Sequence, residues 1–361
     1  MKNLANPNIL KVSPYVPGKP IEEVRRELGL KSVIKLASNE NPYGPSPKVL
    51  KAIAVAAKTV NRYPDGGCFE LRRELAKRLE VAPEQFVFGV GSDEVIVLAL
   101  RAFLREGDEV VMAKPSFLVY SIASATAGAK LVEIPLKGLK YDLDAMKAAV
   151  TARTKIVFIG NPDNPSGQYA TKDEVAAFLD GFPDNVLVFF DEAYFEYVNA
   201  KDYPDTIALL KSRRNVIVAR TFSKLFGLAG LRIGYGIADP EVADLMNRAR
   251  EPFNVTSVAQ AAALAALKDP MYYKRILAES IRQRDVVCAG LTKLGVTFSK
   301  GVTNFIQVRT PGKSSDVAQA LLKKGVIVRD MAAWGLANYI RVSIGTPAEN
   351  KRFLKALSEV L

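Results

Sequence analysis

Along the chain, short apolar runs rich in β-branched residues alternate with amphipathic stretches. Seven runs are predicted as buried strands: 86–88, 110–112, 131–134, 156–159, 186–190, 216–218 and 233–237. Helical patterns fall between most of them, at 93–105, 116–127, 142–150 and 172–180. Upstream, 47–60 fits a helix, and 70–79 is amphipathic, with Leu71, Leu75 and Leu79 on one face and arginines opposite. Strands spaced by helices imply an α/β fold with a mostly parallel sheet covered on both faces.

Beyond Pro252 the pattern changes. An alanine-rich helix is predicted over 257–267 and one long helix over 270–294. Strand-like runs follow at 305–308, 326–328 and 339–344, with helices near 314–324 and from Pro347 onward. At the other end, prolines at 14, 17 and 20 predict an extended arm before a short helix, IEEVRRELGL. Residues 36–47, LASNENPYGPSP, are dense in turn formers and read as an ordered loop. The expected division is an arm over 1–30 that belongs to a small domain, a large domain over 31–264, and a small C-terminal α+β domain over 265–361.

The 50 basic and 38 acidic side chains leave a net charge of +12. Acids are interspersed among the bases, and the densest basic cluster, 211–214, is short. No basic stripe with interleaved aromatics appears, so no nucleic-acid partner is expected. A positive field helps gather a phosphorylated substrate. Cys68 and Cys288 have no metal-binding spacing and read as free thiols of a reducing cytosol. The first ten residues lack an apolar signal core, and the apolar run 95–100 is far too short to span a bilayer. A soluble cytoplasmic protein without a membrane partner is expected. The chain contains no histidine. That excludes a Ser-His-Asp triad, a Cys-His dyad and any histidine metal site, so no metal is expected. A general base must be Lys, Asp, Glu, Tyr or Cys.

Residues 215–238, NVIVARTFSKLFGLAGLRIGYGIA, concentrate the candidate chemistry. Lys224 stands just past a predicted buried strand, hemmed by apolar residues. Desolvation lowers an amine's pKa and makes it a usable nucleophile toward a carbonyl. Thr221, Ser223 and Arg232 on either side suit a phosphate. An amine able to form a Schiff base beside a phosphate cradle suggests pyridoxal phosphate (PLP). Three further segments follow predicted strands. GVGSDE, 89–94, places backbone N–H groups at a helix start, where a phosphate binds well, although Ser92 or Asp93 serving only as N-cap accounts for it equally. NPDNPSG, 161–167, is at face value a turn. DEAY opens with Asp191 at the carboxyl end of a strand, either as an N-cap or where open α/β sheets bind ligands.

The string T-F-S-K-x-F-G-L-A-G-L-R-x-G-Y, together with NPDNPSG and DEAY, closely resembles the fold-type I PLP-dependent aminotransferases, class II subgroup, over nearly the whole chain. The resemblance implies a seven-stranded, mostly parallel sheet sandwiched by helices, plus a small α+β domain. It implies that Lys224 carries the Schiff base, that Asp191 pairs with the pyridine nitrogen, and that Tyr194 and Asn164 bond the ring oxygen. Lys224, Asp191 and Tyr194 are then the catalytic set. Phe117 would stack on the ring. Ser92, Asp93, Glu94, Thr221, Ser223 and Arg232 would surround the phosphate. Tyr63 would reach the phosphate of a neighbouring subunit, implying a homodimer with shared sites. Arg329 and Arg341 would hold the substrate's anionic end, with Tyr15 of the arm closing over it. The resemblance is strongest to members that act on histidinol phosphate. It implies amino transfer between glutamate/2-oxoglutarate and histidinol phosphate/imidazole acetol phosphate in histidine biosynthesis. Aromatic-amino-acid transamination and threonine-phosphate decarboxylation run on the same scaffold, and a PLP-binding protein without turnover is the non-enzymatic alternative.

Overall fold

The computed structural model describes residues 2–14 and 17–361. Twelve strands are present among them: β1 Ile34–Leu36, β2 Phe86–Gly89, β3 Glu109–Lys114, β4 Lys130–Pro135, β5 Thr154–Gly160, β6 Leu187–Asp191, β7 Val216–Thr221, β8 Gly234–Ala238, β9 Phe298–Ser299, β10 Phe305–Arg309, β11 Val326–Asp330 and β12 Tyr339–Ser343. All seven predicted apolar runs are strands. They form one sheet in the order β2-β8-β7-β6-β5-β3-β4. Strands β2 and β5 to β8 are buried almost throughout, as continuous apolar runs require when helices cover both faces. The edge strand β4 is only partly buried. Strand β8 pairs antiparallel with both β2 and β7, and the remaining pairings recorded in this sheet are parallel.

That one reversed strand organises the site. A parallel crossover needs a helix, but an antiparallel return needs only a loop. The loop from Phe222 to Ile233 therefore leaves the carboxyl end of β7 and re-enters as β8 at the same end of the sheet. Gly234, at the start of β8, is the register partner of both Thr221 and Gly89.

The second sheet has the order β1-β11-β12-β10-β9. The helices Pro270–Lys293, Ser314–Lys323 and Pro347–Ser358 bury apolar residues in its core, which gathers Val287, Leu291, Ile306, Val317, Leu321, Val342 and Phe353. Thr346 starts the last helix with a capping box closed by Glu349. Strand β1 is the parallel partner of β11 in this sheet, so a boundary at residue 31 cuts across it. A boundary at 264/265 falls inside the Ser257–Leu267 helix, whose alanine face packs in the large sheet's core. The chain crosses between the cores within the Pro270–Lys293 helix: Tyr273 and Ile276 pack in the first core, Val287 and Leu291 in the second. A helix Pro240–Arg248, which the apolar pattern did not reveal, begins at an Asp-Pro step, with Asp239 accepting from the Glu241 amide. Among the described residues no helix is long and apolar enough to cross a membrane.

Candidate functional site

The chain leaves β2, β3, β5, β6 and β7 at their carboxyl ends, and the segments that follow line one cleft of about 480 Å³ between the two sheets. It lies where strand order reverses, the place at which open α/β sheets bind ligands.

One end of the cleft suits an anion. Gly91 is the N-cap and Ser92 the first residue of the Ser92–Phe103 helix, whose leading N–H groups have no intrahelical partner. Across from them, Thr221 Oγ1 and Ser223 Oγ are 3.0 Å apart. Arg232 reaches in with Nη1 3.4 Å from Ser223 Oγ and Nη2 3.2 Å from Asp93 Oδ2. Two glycines make this approach possible. A Cβ at Gly91, which has φ +81°, would sit 2.4 Å from Arg232 Nη2, and one at Gly234 would sit 2.4 Å from the Ser92 nitrogen.

The middle of the cleft holds an amine, a carboxylate and four hydrogen-bonding side chains, Tyr120, Tyr194, Asn39 and Asn164. Lys224 is half-buried, with Nζ 5.3 Å from the centre of the Tyr194 ring. Asp191, at the end of β6, is buried and accepts from the Tyr120 hydroxyl at 2.7 Å and the Ala193 amide at 3.1 Å. Burial pushes its carboxyl up to about 6, against those two hydrogen bonds, which favour the charged form. A cationic N–H placed opposite would draw that value down. Phe117 lines the same wall and meets Tyr120 edge-on. The Tyr194 hydroxyl accepts from Asn39 Nδ2 at 2.9 Å. Asn164 Oδ1 accepts from Arg341.

The far end belongs to the second sheet. Arg329 on β11 and Arg341 on β12 are register partners and both line the cleft. Arg341 is buried and also donates to the Ala37 carbonyl at 3.2 Å. The Trp334 ring is near both guanidinium groups, 4.9 Å from Arg329 Cζ and 5.9 Å from Arg341 Cζ. Gly18 of the arm lines the cleft beside Arg329.

The family model for aminotransferase class I and II matches residues 31–357. This chain belongs to that aminotransferase family. The aminotransferase is 45% identical to histidinol-phosphate aminotransferase of Moorella thermoacetica, over 98% of this chain and 92% of that protein. It is 47% identical to histidinol-phosphate aminotransferase 2 of Pseudomonas fluorescens, over 99% and 97%. Its fold matches the crystal structure of histidinol-phosphate aminotransferase from Sinorhizobium meliloti in complex with pyridoxal-5'-phosphate, with TM-score 0.91 and 31% identity, covering 99% of this chain and 97% of that one.

Of the residues named from sequence, the aminotransferase cleft brings together Ser92, Asp93, Phe117, Asn164, Asp191, Tyr194, Thr221, Ser223, Lys224, Arg232, Arg329 and Arg341. Glu94 is not among its lining residues. Its carboxylate turns back to accept from the Val90 amide at 2.6 Å and Asn254 Nδ2 at 2.7 Å, stapling the turn from behind. Tyr63 also lies outside the cleft, exposed and stacked on Phe253 with ring centres 4.8 Å apart. Tyr15 falls outside the described residues. The lining residues that the sequence reading missed include Asn39, Tyr120 and Trp334. Asn39 carried the one available signal, an asparagine in a turn-dense loop. It adopts φ +55°, a left-handed conformation that asparagine tolerates better than most residues.

Proposed function

We propose that this aminotransferase uses PLP to move an amino group between glutamate/2-oxoglutarate and histidinol phosphate/imidazole acetol phosphate, as a cytoplasmic homodimer. The observation that carries the reading is the 45% identity, over 98% of this chain, to a relative named histidinol-phosphate aminotransferase. The Arg329–Arg341 pair, which aromatic-amino-acid transaminases of the same subgroup also carry, is compatible with it. Like charges directly opposite on neighbouring strands are unfavourable. A phosphate ester, with up to two negative charges, relieves that repulsion and matches two guanidinium forks better than a single carboxylate does. The relatives at 44–47% identity bear the name of this activity.

The fit of the cofactor rests on residues of this chain. The Ser92 and Asp93 amides, the Thr221 and Ser223 hydroxyls and Arg232 would hold its phosphate, and Phe117 its ring face. Asp191 would pair with the ring nitrogen and Lys224 Nζ would be the amine for its aldehyde. When bound, the cofactor supplies an electron sink for the pair left as the substrate Cα–H bond breaks. Lys224 Nζ, which lines the cleft, would serve as the base that takes up that proton and later gives it back. Neighbours preset the two donors to the ring oxygen. Arg341 donates to Asn164 Oδ1, which leaves the Nδ2 amide as the group that would donate to the cofactor. Asn39 donates to the Tyr194 oxygen, so the phenolic proton is left to donate onward.

The dimer reading is supported by Tyr63 and Phe253, an exposed aromatic pair suited to a facing subunit. The cytoplasmic reading is supported by Cys68 and Cys288, both buried and free. The test is a half-reaction spectrum of the PLP-loaded protein against histidinol phosphate, glutamate, phenylalanine and threonine phosphate. Conversion of the cofactor to its amine form by the first two, far ahead of phenylalanine, is expected. Preference for phenylalanine, or carbon dioxide release from threonine phosphate, would reassign the substrate.

A further inference from the structure

We infer that Tyr120 is the positioning residue for Asp191, fixing the carboxylate plane so that one oxygen stays aimed at the cofactor's ring nitrogen. The inference rests on the assignment of Asp191 to that nitrogen. An aspartate's terminal torsion is broad, so a single backbone contact leaves the carboxylate free to turn. Here each oxygen has its own donor, Tyr120 at Oδ2 and the Ala193 amide at Oδ1, and the residue lines the cleft.

Tyr120 is itself rigidly held. It lies on the Leu118–Thr126 helix, is 1% exposed, and stacks on Phe158 of β5 with ring centres 4.6 Å apart and planes 2° from parallel. Phe117 meets its edge at 5.6 Å and 86°. One side chain therefore ties the aromatic wall of the cleft to its carboxylate. The chain contains no histidine, and here the donor to the buried carboxylate is a phenol. A phenol fills that place well: burial holds its hydroxyl well above the usual tyrosine range, so it keeps its proton across the working pH range. It adds no charge that would compete with the ring nitrogen for Asp191.

The experiment compares dissociation constants of PLP and of its 1-deaza analogue, in which C–H replaces the ring nitrogen, on PLP-free protein. Wild type, Asp191→Asn and Tyr120→Phe are measured. Wild type is expected to prefer PLP, and Asp191→Asn to lose that preference. Tyr120→Phe should lose roughly tenfold of it, about the worth of one hydrogen bond to a charged group, while its affinity for the analogue stays at the wild-type value. Full preference in Tyr120→Phe, with preference lost in Asp191→Asn, overturns the positioning role and leaves the Asp191 assignment standing. No preference in the wild type removes the Asp191 assignment itself, and the inference with it. If Tyr120→Phe does not fold, a crystal structure of the loaded wild type decides. A Tyr120 hydroxyl on Asp191 supports the inference, and one turned to another acceptor overturns it.

Discussion

Asp163, inside NPDNPSG, is 3% exposed yet carries a carboxyl group. It accepts from the Ser166 hydroxyl at 2.7 Å, the Ser166 amide at 3.0 Å and the Tyr141 hydroxyl at 2.9 Å. Ser116 Oγ approaches the same carboxylate at 3.4 Å. It thus ties the turn that carries Asn164 to the one that carries Phe117. Burial outweighs these hydrogen bonds and pushes the carboxyl from 3.8 to about 6. A folded-state value above the unfolded one means the folded chain holds the proton more tightly. The resulting stability is fully present below about pH 3.8 and is lost as pH rises through about 6. The whole loss is about 3 kcal/mol, of which about 1.5 falls between pH 5 and pH 8. In Asp163→Asn nothing titrates at this position. The stability advantage of wild type over variant should therefore shrink by about 1.5 kcal/mol from pH 5 to pH 8. Urea unfolding of both PLP-free proteins at the two pH values measures it. Asp191 and other raised carboxyls are common to both and cancel in the difference. An advantage that stays constant within about 0.5 kcal/mol, or grows with pH, would refute the account of Asp163 as a desolvated acid.

Three other outcomes are expected. Lys224→Ala should fold normally but yield no borohydride-reducible link to PLP at residue 224, checked by peptide mapping; a link found there would exclude the assigned amine. Asp191→Asn should keep PLP bound while turnover falls by orders of magnitude, because a lost charge-assisted contact where charge develops costs several kcal/mol; steady-state rates near wild type would exclude that role. Glu192→Gln should destabilise the fold by about 3–5 kcal/mol, since Arg220, buried and bonded to Glu192 through Nε and Nη2 at 2.8 Å each, would lose its counter-charge. A drop below about 1 kcal/mol in urea unfolding would show that the pair is not what neutralises the arginine.

The segments that bind and react are each legible over a dozen residues. An apolar run followed by Asp191, by NPDNPSG or by the Lys224 loop places its functional side chain at a strand's carboxyl end, because strand and turn propensity act locally. That locality makes all seven strands of the large sheet readable from the chain alone, whereas many of the cleft residues beyond them are named through the resemblance to the family. Contacts between distant segments leave no such local mark. Arg341 meets Ala37, and Asn39 pairs with Ser343, 304 positions apart in both cases. Only the packed chain shows that Asn39 donates to the Tyr194 hydroxyl and that the Trp334 ring is near both arginines. Glu94 sits in the motif expected to hold phosphate, but the fold spends it on bracing the turn, since its carboxylate finds two nearer donors. The reversed direction of β8 and the placement of β1 in the smaller sheet were decided in the same way. Strand pairing depends on which edge the rest of the fold leaves open, and no stretch of sequence carries that information by itself.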